Sequence, residues 1–515
     1  MLGPMKIPRW LSVLTVLVAL ADATATRTAF TVSGINRAQV PKWSGADLEF
    51  FLHGSMGTEV VPERVLRAFI STYPDLFSKQ DLSNFGLITN PTGGLPVGVS
   101  RREVPHLGRL SSIGVNCAAC HVGEVHSPAG QRVRVLGMTA QFDAEAFFDA
   151  VIVATFRTAN PANMEKFLSH YWPIEPAVIE RQRAQIVAAI QEDPTGAKGA
   201  GPGGLQLIEP EDLRADAGNP APAVRALLKL FHNMRAALHI PDQPPPPSPP
   251  NGPGRNDPWR VLSYSLLGIV TKPAPVKFGI VWNEDRRQWV HFDGNTRSPI
   301  VRNLAASLGL GAPLIGQTGD LDFALIQRHT ALSEIIRPPR YPWAIDRAAA
   351  KRGAKIYRAN CASCHNGPES DQRLHAISEI KTDPNRAEIF TPDIAERFNK
   401  FFTDLQIPGY RPPEKPLRGT QKYWSPDLAG VWARAPYLHN GSVRTMRELL
   451  MPPEARQKQW HRGTRLYDHE AMGYADDGAH VLDTTGNGHS NAGHDYGNDL
   501  SDAQKRELIE YLKTL

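Results

Sequence analysis

The sequence of 515 residues predicts a mainly α-helical fold with long loops and little β-structure. Several segments space their apolar residues along one face of a helix, and stretches rich in glycine or proline separate these segments. One five-residue motif also occurs twice, which predicts two domains built on the same plan. Hydrophobic residues make up 41% and charged residues 21% of the chain, and both values are ordinary for a globular protein.

The repeated motif is Cys-x-x-Cys-His, at residues 117–121 and 361–365, and its two copies use all four cysteines of the chain. Two cysteines at this spacing can each bond a haem vinyl group, and the following histidine then lies under the iron. The motif therefore predicts two cytochrome c-like haem domains with two covalently bound haem c groups. The predicted attachment residues are Cys117, Cys120, Cys361 and Cys364, and the predicted proximal iron ligands are His121 and His365.

Three other uses of paired cysteines fit the pattern less well. A structural zinc site needs about four nitrogen or sulfur ligands, and no cysteine outside the two motifs can complete one. Disulfides in an exported chain would leave the histidine at the same offset in both copies unexplained. A thioredoxin-like Cys-x-x-Cys belongs in a βαβ pattern, which neither copy shows.

The N-terminus predicts a secretory signal peptide at residues 1–25. Lys6 and Arg9 precede an apolar run from Trp10 to Ala21, and small residues follow up to Ala25. The run is shorter than the roughly 20 residues of a transmembrane helix, so no integral membrane segment is expected after cleavage, with an uncleaved anchor as the alternative. Because bacteria attach c-type haems outside the cytoplasm, we expect a periplasmic or secreted protein.

Charge gives little indication of a nucleic-acid partner. The formal net charge is +5, but the basic residues are dispersed, and no Lys/Arg run with interleaved aromatic residues occurs. Nucleic-acid binding is therefore not predicted.

The N-terminal cytochrome c-like domain is predicted at residues 26–240. Helices are expected within 50–77, interrupted by Gly54 and Gly57, and again from Asp143, where acidic residues open an apolar run. The turn-rich stretches 84–87 and 93–98 predict loops that lead into the first haem motif. Two more helices are expected at 175–191 and 221–238.

Residues 241–345 are predicted to form a proline-rich loop followed by a segment between the haems. The run 241–250 excludes regular helix and central strand, and a surface loop is favoured over a stiff linker. From Gly254 to Asp320 helix signals are few, whereas aromatic and charged residues are dense. This segment is either a partly buried, hydrogen-bonded loop or a segment that lies against a haem and supplies pocket residues.

The C-terminal cytochrome c domain is predicted at residues 346–515. Gly353 and Tyr357 share one helix face just before the second haem motif. Residues 501–515 form an amphipathic helix with Ser501 or Asp502 as N-cap. Small c-type domains close by crossing two such helices over the haem.

The second axial ligand of each iron decides its chemistry, because a haem with two protein ligands transfers electrons and one with a single ligand can bind dioxygen or peroxide. His494 is the best-placed candidate, in the glycine- and asparagine-rich loop 486–494. His489 in the same loop is its rival, and Met451 is the thioether alternative.

The haem motifs, the segment 289–303, Ala435-Pro436-Tyr437-Leu438-His439-Asn440-Gly441-Ser442 and the loop 486–494 resemble the bacterial di-haem cytochrome c peroxidase superfamily. Residues 51–57 and 95–98 also resemble its branch of rubber oxygenase and di-haem fatty-acid dioxygenases. The resemblance implies that His121 is the only protein ligand of an N-terminal, substrate-facing haem, and that His365 and His494 ligate a C-terminal electron-transfer haem. It further implies a tryptophan between the haems, Trp289 or Trp282, with Tyr437 and His439 near the second haem.

One departure bears on the reaction. In the peroxidases of this superfamily, a Phe-Trp-Asp-Gly-Arg stretch is followed within about ten residues by a carboxylate that splits peroxide by acid/base transfer. This chain has His291-Phe292-Asp293-Gly294-Asn295 and then no acidic residue until Asp320. The candidate pocket residues are therefore His291, Arg302 and Trp289.

Three functions remain open at this point. The favoured one is an oxygenase that acts on an unsaturated lipid or isoprenoid, using dioxygen at the first haem. The second is a peroxidase that receives electrons from a small redox protein or another donor, and the third is an electron carrier without catalysis. An apolar approach to the first haem favours the oxygenase, and a carboxylate supplied from elsewhere in the chain favours the peroxidase.

Overall fold

Helices dominate the computed structural model, and the β-structure consists of short strands, as the sequence predicts. The structure describes residue 35 and residues 37–89, 93–200, 204–216, 218–240, 246–314, 321–366 and 373–515. The predicted signal peptide and residues 241–245 of the proline-rich loop lie outside this part. From Ile35 onward the chain forms one compact unit, and the predicted divisions at residues 240 and 345 stay predictions.

The helices predicted within 50–77, from Asp143, at 175–191, at 221–238, before the second haem motif and after Ser501 are present, and further helices were not predicted. In chain order the α-helices are Gly45–His53, Glu63–Thr72, Cys117–His121, Ala144–Thr158, Pro161–Tyr171, Pro176–Glu180, Arg183–Glu192, Ala221–Ala237, Pro258–Leu267, Pro299–Gly309, Phe323–Glu334, Arg347–Asn360, Ala362–His365, Ile377–Ile380, Asn385–Ile389, Pro392–Asp404, Met446–Leu449 and Asp502–Leu512.

The strands pair as antiparallel ladders of two or three members. They are Val61–Pro62, Val99–Val104, Leu110–Val115, Val122–His126, Arg132–Leu136, Arg255–Asn256, Val276–Lys277, Trp289–Val290, Thr296–Arg297, Leu374–Ala376, Lys422–Trp424, Gln459–Arg462, Tyr467–Asp468, Gly473–Tyr474 and His480–Asp483. In the three-stranded sheet, Leu110–Val115 lies between Val61–Pro62 and Val99–Val104.

The last strand of that sheet leads directly into the first haem motif. The sequence predicts loops at 84–87 and 93–98 before this motif but does not predict the sheet. Val115 pairs with Val99, and the next residue, Asn116, caps the helix Cys117–His121 by accepting a hydrogen bond from the Ala118 N–H. The Asn116 amide also donates to the Gly54 carbonyl at 2.8 Å, where the preceding helix Gly45–His53 ends. Side-chain capping therefore fixes where the haem-motif helix begins.

Three helices in the middle segment were not predicted: Pro258–Leu267, Pro299–Gly309 and Phe323–Glu334. Pro258–Leu267 and Pro299–Gly309 each carry proline in the first turn, a position where its missing N–H costs no hydrogen bond. Both helices are short and contain serine and arginine. Their apolar residues therefore do not form a clear helical pattern in the sequence. Trp259, Val301 and Leu304 pack into one apolar cluster with Phe390 and other residues that follow the second haem motif. Tertiary packing, more than local propensity, makes these segments helical.

The crossing of the two C-terminal helices confirms the prediction for residues 353–357 and 501–515. Ser501 caps Asp502–Leu512 by a capping box with Gln504. Gly353 lies at the crossing, where an added Cβ would overlap the Glu507 carbonyl oxygen. The rings of Tyr357 and Tyr511 lie 5.1 Å apart, and the Tyr357 hydroxyl donates to the His365 carbonyl at 2.7 Å. The crossing thus holds the second haem motif directly.

Gly353→Ala is expected to destabilise the protein by about 2–3 kcal/mol, since overpacking of a close helix contact forces the two backbones apart. Chemical denaturation with a helical probe measures the change. Gly45→Ala is the matched control, because an added Cβ at this other helical glycine meets no atom within 4 Å. Equal stability of the two variants would contradict the close approach.

Candidate functional site

His365 and His494 face each other at the separation expected of two iron ligands. Their ring centroids lie 6.4 Å apart, with 42° between the ring planes. One iron bonded to an imidazole on each side, at the ~2 Å typical of metal–imidazole bonds, separates the centroids by about 6 Å. The gap between these rings therefore fits the iron of a haem attached at Cys361 and Cys364.

Both motif histidines are oriented by a backbone carbonyl. His121 Nδ1 lies 2.8 Å from the Gly279 oxygen, and His365 Nδ1 lies 2.8 Å from the Pro426 oxygen. Because a carbonyl can only accept, Nδ1 carries the proton and Nε2 remains free for a metal, which is the usual orientation of a ligating histidine. These acceptors could not be predicted from the sequence, because they are 158 and 61 residues away along the chain.

The first motif differs from the second in what faces its histidine. The aromatic neighbour of His121 is Phe278, whose ring centroid lies 6.4 Å away at an angle of 62°. In the described part of the chain no histidine ring stands opposite His121 in the way that His494 stands opposite His365. Met56 Sδ packs 3.4 Å from Cys117 Sγ, beside the attachment residue.

The residues of both motifs fit haem c. All four cysteines are free, so the disulfide alternative does not describe this fold. Among the described residues, no cluster of three histidine, cysteine or acidic side chains suits a zinc ion. Burial lowers the pKa of His121 to about 3, and the charge of Arg302 lowers it further. Burial likewise lowers the pKa of His494 to about 3, together with the charge of His365. Each imidazole is therefore neutral near pH 7, the form that binds iron.

Arg456 holds the loop of His494, and sequence reasoning missed it. Its guanidinium is 2% exposed and donates to the backbone carbonyls of Asn491 at 2.6 Å and Gly493 at 2.8 Å. It also reaches the carbonyl of His494 at 3.3 Å. His494 itself has φ of 54°, a left-handed conformation that a side chain adopts at a cost. Arg456 thus positions the loop that carries His494.

Arg456→Met is expected to detach this loop, with a loss of about 3 kcal/mol because several buried carbonyls lose a charged donor. The low-spin signal of one haem should weaken in electron-spin-resonance spectra while haem content stays unchanged. Arg444→Met is the matched control, since Arg444 donates to the Tyr474 carbonyl and not to the loop. A full low-spin signal in Arg456→Met would contradict the positioning role.

The candidate pocket residues His291 and Arg302 are both engaged with other side chains. His291 Nδ1 lies 2.9 Å from Asn295 Oδ1, and burial lowers its pKa to about 3, so the ring is neutral. Arg302 forms a two-pronged ion pair with Glu284, with Nη2 2.9 Å from Oε2. Burial depresses the pKa of Arg302, but the Glu284 charge and hydrogen bonds outweigh it, and the net shift is upward.

Glu284 is a candidate that the sequence analysis did not single out. Its side chain is 2% exposed. Burial makes the largest contribution to the raised pKa of the Cys117 thiol, and the charge of Glu284 raises this pKa further. A carboxylate therefore lies near the first haem motif although none follows Asp293 closely in sequence. Asp293 itself is buried and paired with Arg386 at 2.8 Å.

The two tryptophans considered for the space between the haems lie in different surroundings. Trp282 is buried, and its Nε1 donates to the Leu136 carbonyl at 2.7 Å, one residue before Gly137, whose N–H bonds to the His121 carbonyl. The Arg434 guanidinium lies 5.7 Å from the Trp282 ring. Burial lowers the pKa of His365, and the charge of Arg434 makes a smaller contribution in the same direction. Trp289 is half-buried under Arg418, 3.6 Å from its ring.

Three residues that the sequence analysis considered for the second haem make structural contacts in the described fold. The Tyr437 hydroxyl donates to the Met472 carbonyl at 3.1 Å. The His439 ring stacks on Tyr423 at 4.3 Å. Met451 follows the short helix Met446–Leu449, and its carbonyl accepts from Arg456 at 3.2 Å. The ring of His494, and not this thioether, is the group seen facing His365.

Comparisons with known families confirm the resemblance predicted from the motifs. Residues 348–413, which contain the second haem motif, match the family of cytochrome C oxidase, cbb3-type, subunit III. Residues 422–461 match a family described as RoxA-like, cytochrome c-like. The C-terminal part of the chain is therefore a haem c domain, and the chain resembles the di-haem cytochrome c oxidoreductases of the rubber-oxygenase type.

Individual relatives extend the similarity beyond this domain. Protein y4iJ of Sinorhizobium fredii is 26% identical over 587 aligned positions that cover 92% of each chain. Protein y4iM of the same organism is 32% identical over 45% of this chain and 63% of its own. A protein of Denitromonas iodatirespirans named cytochrome-c peroxidase IdrP1 is 31% identical over 24% of this chain and 37% of its own. No helix within the described ranges is both long and apolar enough to cross a membrane.

Proposed function

From its resemblance to the di-haem cytochrome c oxidoreductases, we propose that this protein is an exported enzyme with two covalent haems of unequal ligation. The main support for unequal ligation is that His365 has a histidine ring opposite it at 6.4 Å, whereas the ring neighbouring His121 is that of Phe278. The first haem then keeps a free position, and the second is closed. When bound, the first haem supplies the activation of dioxygen or peroxide.

The favoured reaction is oxygenation of an unsaturated lipid or isoprenoid. The match of residues 422–461 to the RoxA-like family supports it. The surroundings of His291 also support it: the ring lies 6.0 Å from Trp259, which belongs to an apolar cluster with Val301 and Leu304. Apolar walls suit an apolar substrate. The Nδ1–H of a neutral His291 donates to Asn295 Oδ1, which leaves Nε2 without a proton, as an acceptor.

Peroxide reduction is the second candidate, because Glu284 is a carboxylate supplied from elsewhere in the chain. It lies near Cys117 and is held by Arg302, so it could move a proton to or from peroxide, the role that general acid/base catalysis requires. The partial similarity to a protein named cytochrome-c peroxidase supports this candidate. In both reactions Trp282 would lie between the haems, and a small redox protein would exchange electrons with the second haem.

The test starts with optical and electron-spin-resonance spectra of the exported protein, as isolated and after reduction, with and without air. One high-spin and one low-spin haem are expected. Oxygen uptake is then followed with an unsaturated fatty acid or cis-polyisoprene and no added reductant. In parallel, hydrogen peroxide is supplied together with a reduced small cytochrome c.

The outcomes separate the three functions. Oxygen uptake with formation of cleaved or hydroperoxidised lipid supports the oxygenase. Peroxide consumption coupled to cytochrome oxidation, without lipid turnover, supports the peroxidase instead. Two low-spin haems in both oxidation states would leave no site for either reaction and would make the protein an electron carrier.

A further inference from the structure

Most buried or largely buried arginines of the described chain have partners. Arg134, Arg302 and Arg386 each form an ion pair, with Glu124, Glu284 and Asp293 respectively. Arg255 is different: its side chain is fully buried, and within the described residues none of its three guanidinium nitrogens has a hydrogen-bond partner. Such a group is expensive to bury unless a partner satisfies it.

Two more cations lie with Arg255, and they too lack a carboxylate. Lys277 is its partner across the short ladder, and Lys277 Nζ donates to the carbonyls of Arg434 and Pro436. Arg462 donates to the carbonyls of Gly441 at 2.6 Å and Pro253 at 2.8 Å. Burial lowers the pKa of Arg462, and the charge of Arg255 lowers it further, which places the two guanidinium groups close together.

The carboxylates nearest to Arg255 do not pair with it. Asp257, Asp383 and Glu145 act on its pKa by charge alone, and each accepts instead from a backbone N–H, that of Ala274, Ser490 or Asn251. Burial raises the pKa of all three carboxyl groups. The cationic cluster of Arg255, Lys277 and Arg462 therefore has carboxylates nearby that act on Arg255 only through charge, and among the described residues the Arg255 guanidinium has no hydrogen-bonding anion.

Lys277 connects the cluster along the chain to the residues that contact the first haem ligand. Lys277 is followed by Phe278, whose ring neighbours His121, and by Gly279, whose carbonyl holds His121 Nδ1. Phe278 N–H also donates to the Gly254 carbonyl, beside Arg255, at 3.0 Å. Two residues of chain span about 7 Å, less than the width of a porphyrin.

We propose that the cationic cluster binds a propionate carboxylate of the haem held at His121, with Arg255 as the direct partner. The inference rests on the haem content of the proposed function and not on which substrate is oxidised. A haem carries two carboxylates on one edge, and a guanidinium matches a carboxylate with two parallel hydrogen bonds. No other anion is part of the cofactor that this site adjoins.

The experiment uses the full-length exported protein and its variants Arg255→Met and Arg255→Lys. Midpoint potentials of the two haems are measured by optical titration, and resonance Raman spectra record the propionate bending bands. Arg255→Met is expected to lower the potential of the first haem, because loss of a nearby cation favours the ferric state, and to shift a propionate band. Arg255→Lys is expected to show a smaller change. Arg134→Met is the control with a buried arginine already in an ion pair, and its propionate bands should be unchanged.

Each other outcome would overturn the proposal. Unchanged potentials and bands in Arg255→Met would exclude the contact, and a change confined to the haem that His494 ligates would assign the propionate to the second haem. Potentials that depend on added phosphate in the wild type but not in Arg255→Met would indicate a free anion. Haem content of each variant is checked first, and Arg255→Lys decides if Arg255→Met fails to fold. If the wild type had two low-spin haems, the proposed open site would be wrong. The midpoint potentials and Raman bands would still test the contact between Arg255 and a propionate.

Discussion

Replacing His494 by alanine is expected to convert one low-spin haem to high-spin and to leave haem content unchanged. His494 is the ring that faces His365 at 6.4 Å, so its removal leaves that iron with a single protein ligand. The haem stays attached because Cys361 and Cys364 are untouched. Electron-spin-resonance spectra of the oxidised protein measure the conversion, and electron transfer into the first haem should be strongly slowed.

His489→Ala is the matched control, since His489 is a buried histidine of the same loop, five residues before His494. It should leave the low-spin signal intact, because the ring opposite His365 is that of His494. Loss of the low-spin signal in His489→Ala and its retention in His494→Ala would reverse the assignment.

Arg302→Leu is expected to destabilise the protein by about 3–5 kcal/mol, because it leaves Glu284 as an unpaired buried charge. Glu284 is 2% exposed and Arg302 13% exposed, so solvent cannot replace the lost partner. Denaturant unfolding followed by tryptophan fluorescence measures the loss.

The double variant Arg302→Leu/Glu284→Leu should recover most of that stability, since two apolar side chains of similar size replace a buried ion pair at little cost. If instead the double variant is as unstable as the single one, the pair is not the main role of Arg302. Turnover of the double variant then separates the two reactions: loss of peroxide reduction with lipid oxidation retained would assign the acid/base role to Glu284 and peroxidase chemistry to the pair.

Local patterns in the sequence were sufficient to predict the attachment chemistry and several of the longer helices. Cys-x-x-Cys-His places attachment and proximal ligand within five residues, so no tertiary information is needed. The helix from Asp143 and the helix after Ser501 are also set locally, by an N-cap side chain and an apolar face. The helices Pro258–Leu267 and Pro299–Gly309 were missed because their stability comes from a shared apolar cluster.

The surroundings of each haem motif depend on the tertiary structure. The resemblance had already singled out His494, with His489 and Met451 as rivals, and the structure places the His494 ring opposite His365. The acceptors Gly279 and Pro426 and the pair of Glu284 with Arg302 had no sequence signature. These contacts join residues far apart in the chain, and their energies depend on burial and distance. A haem motif is covalent and local, whereas the second ligand, the orienting carbonyl and the compensating charge exist only after the chain has folded.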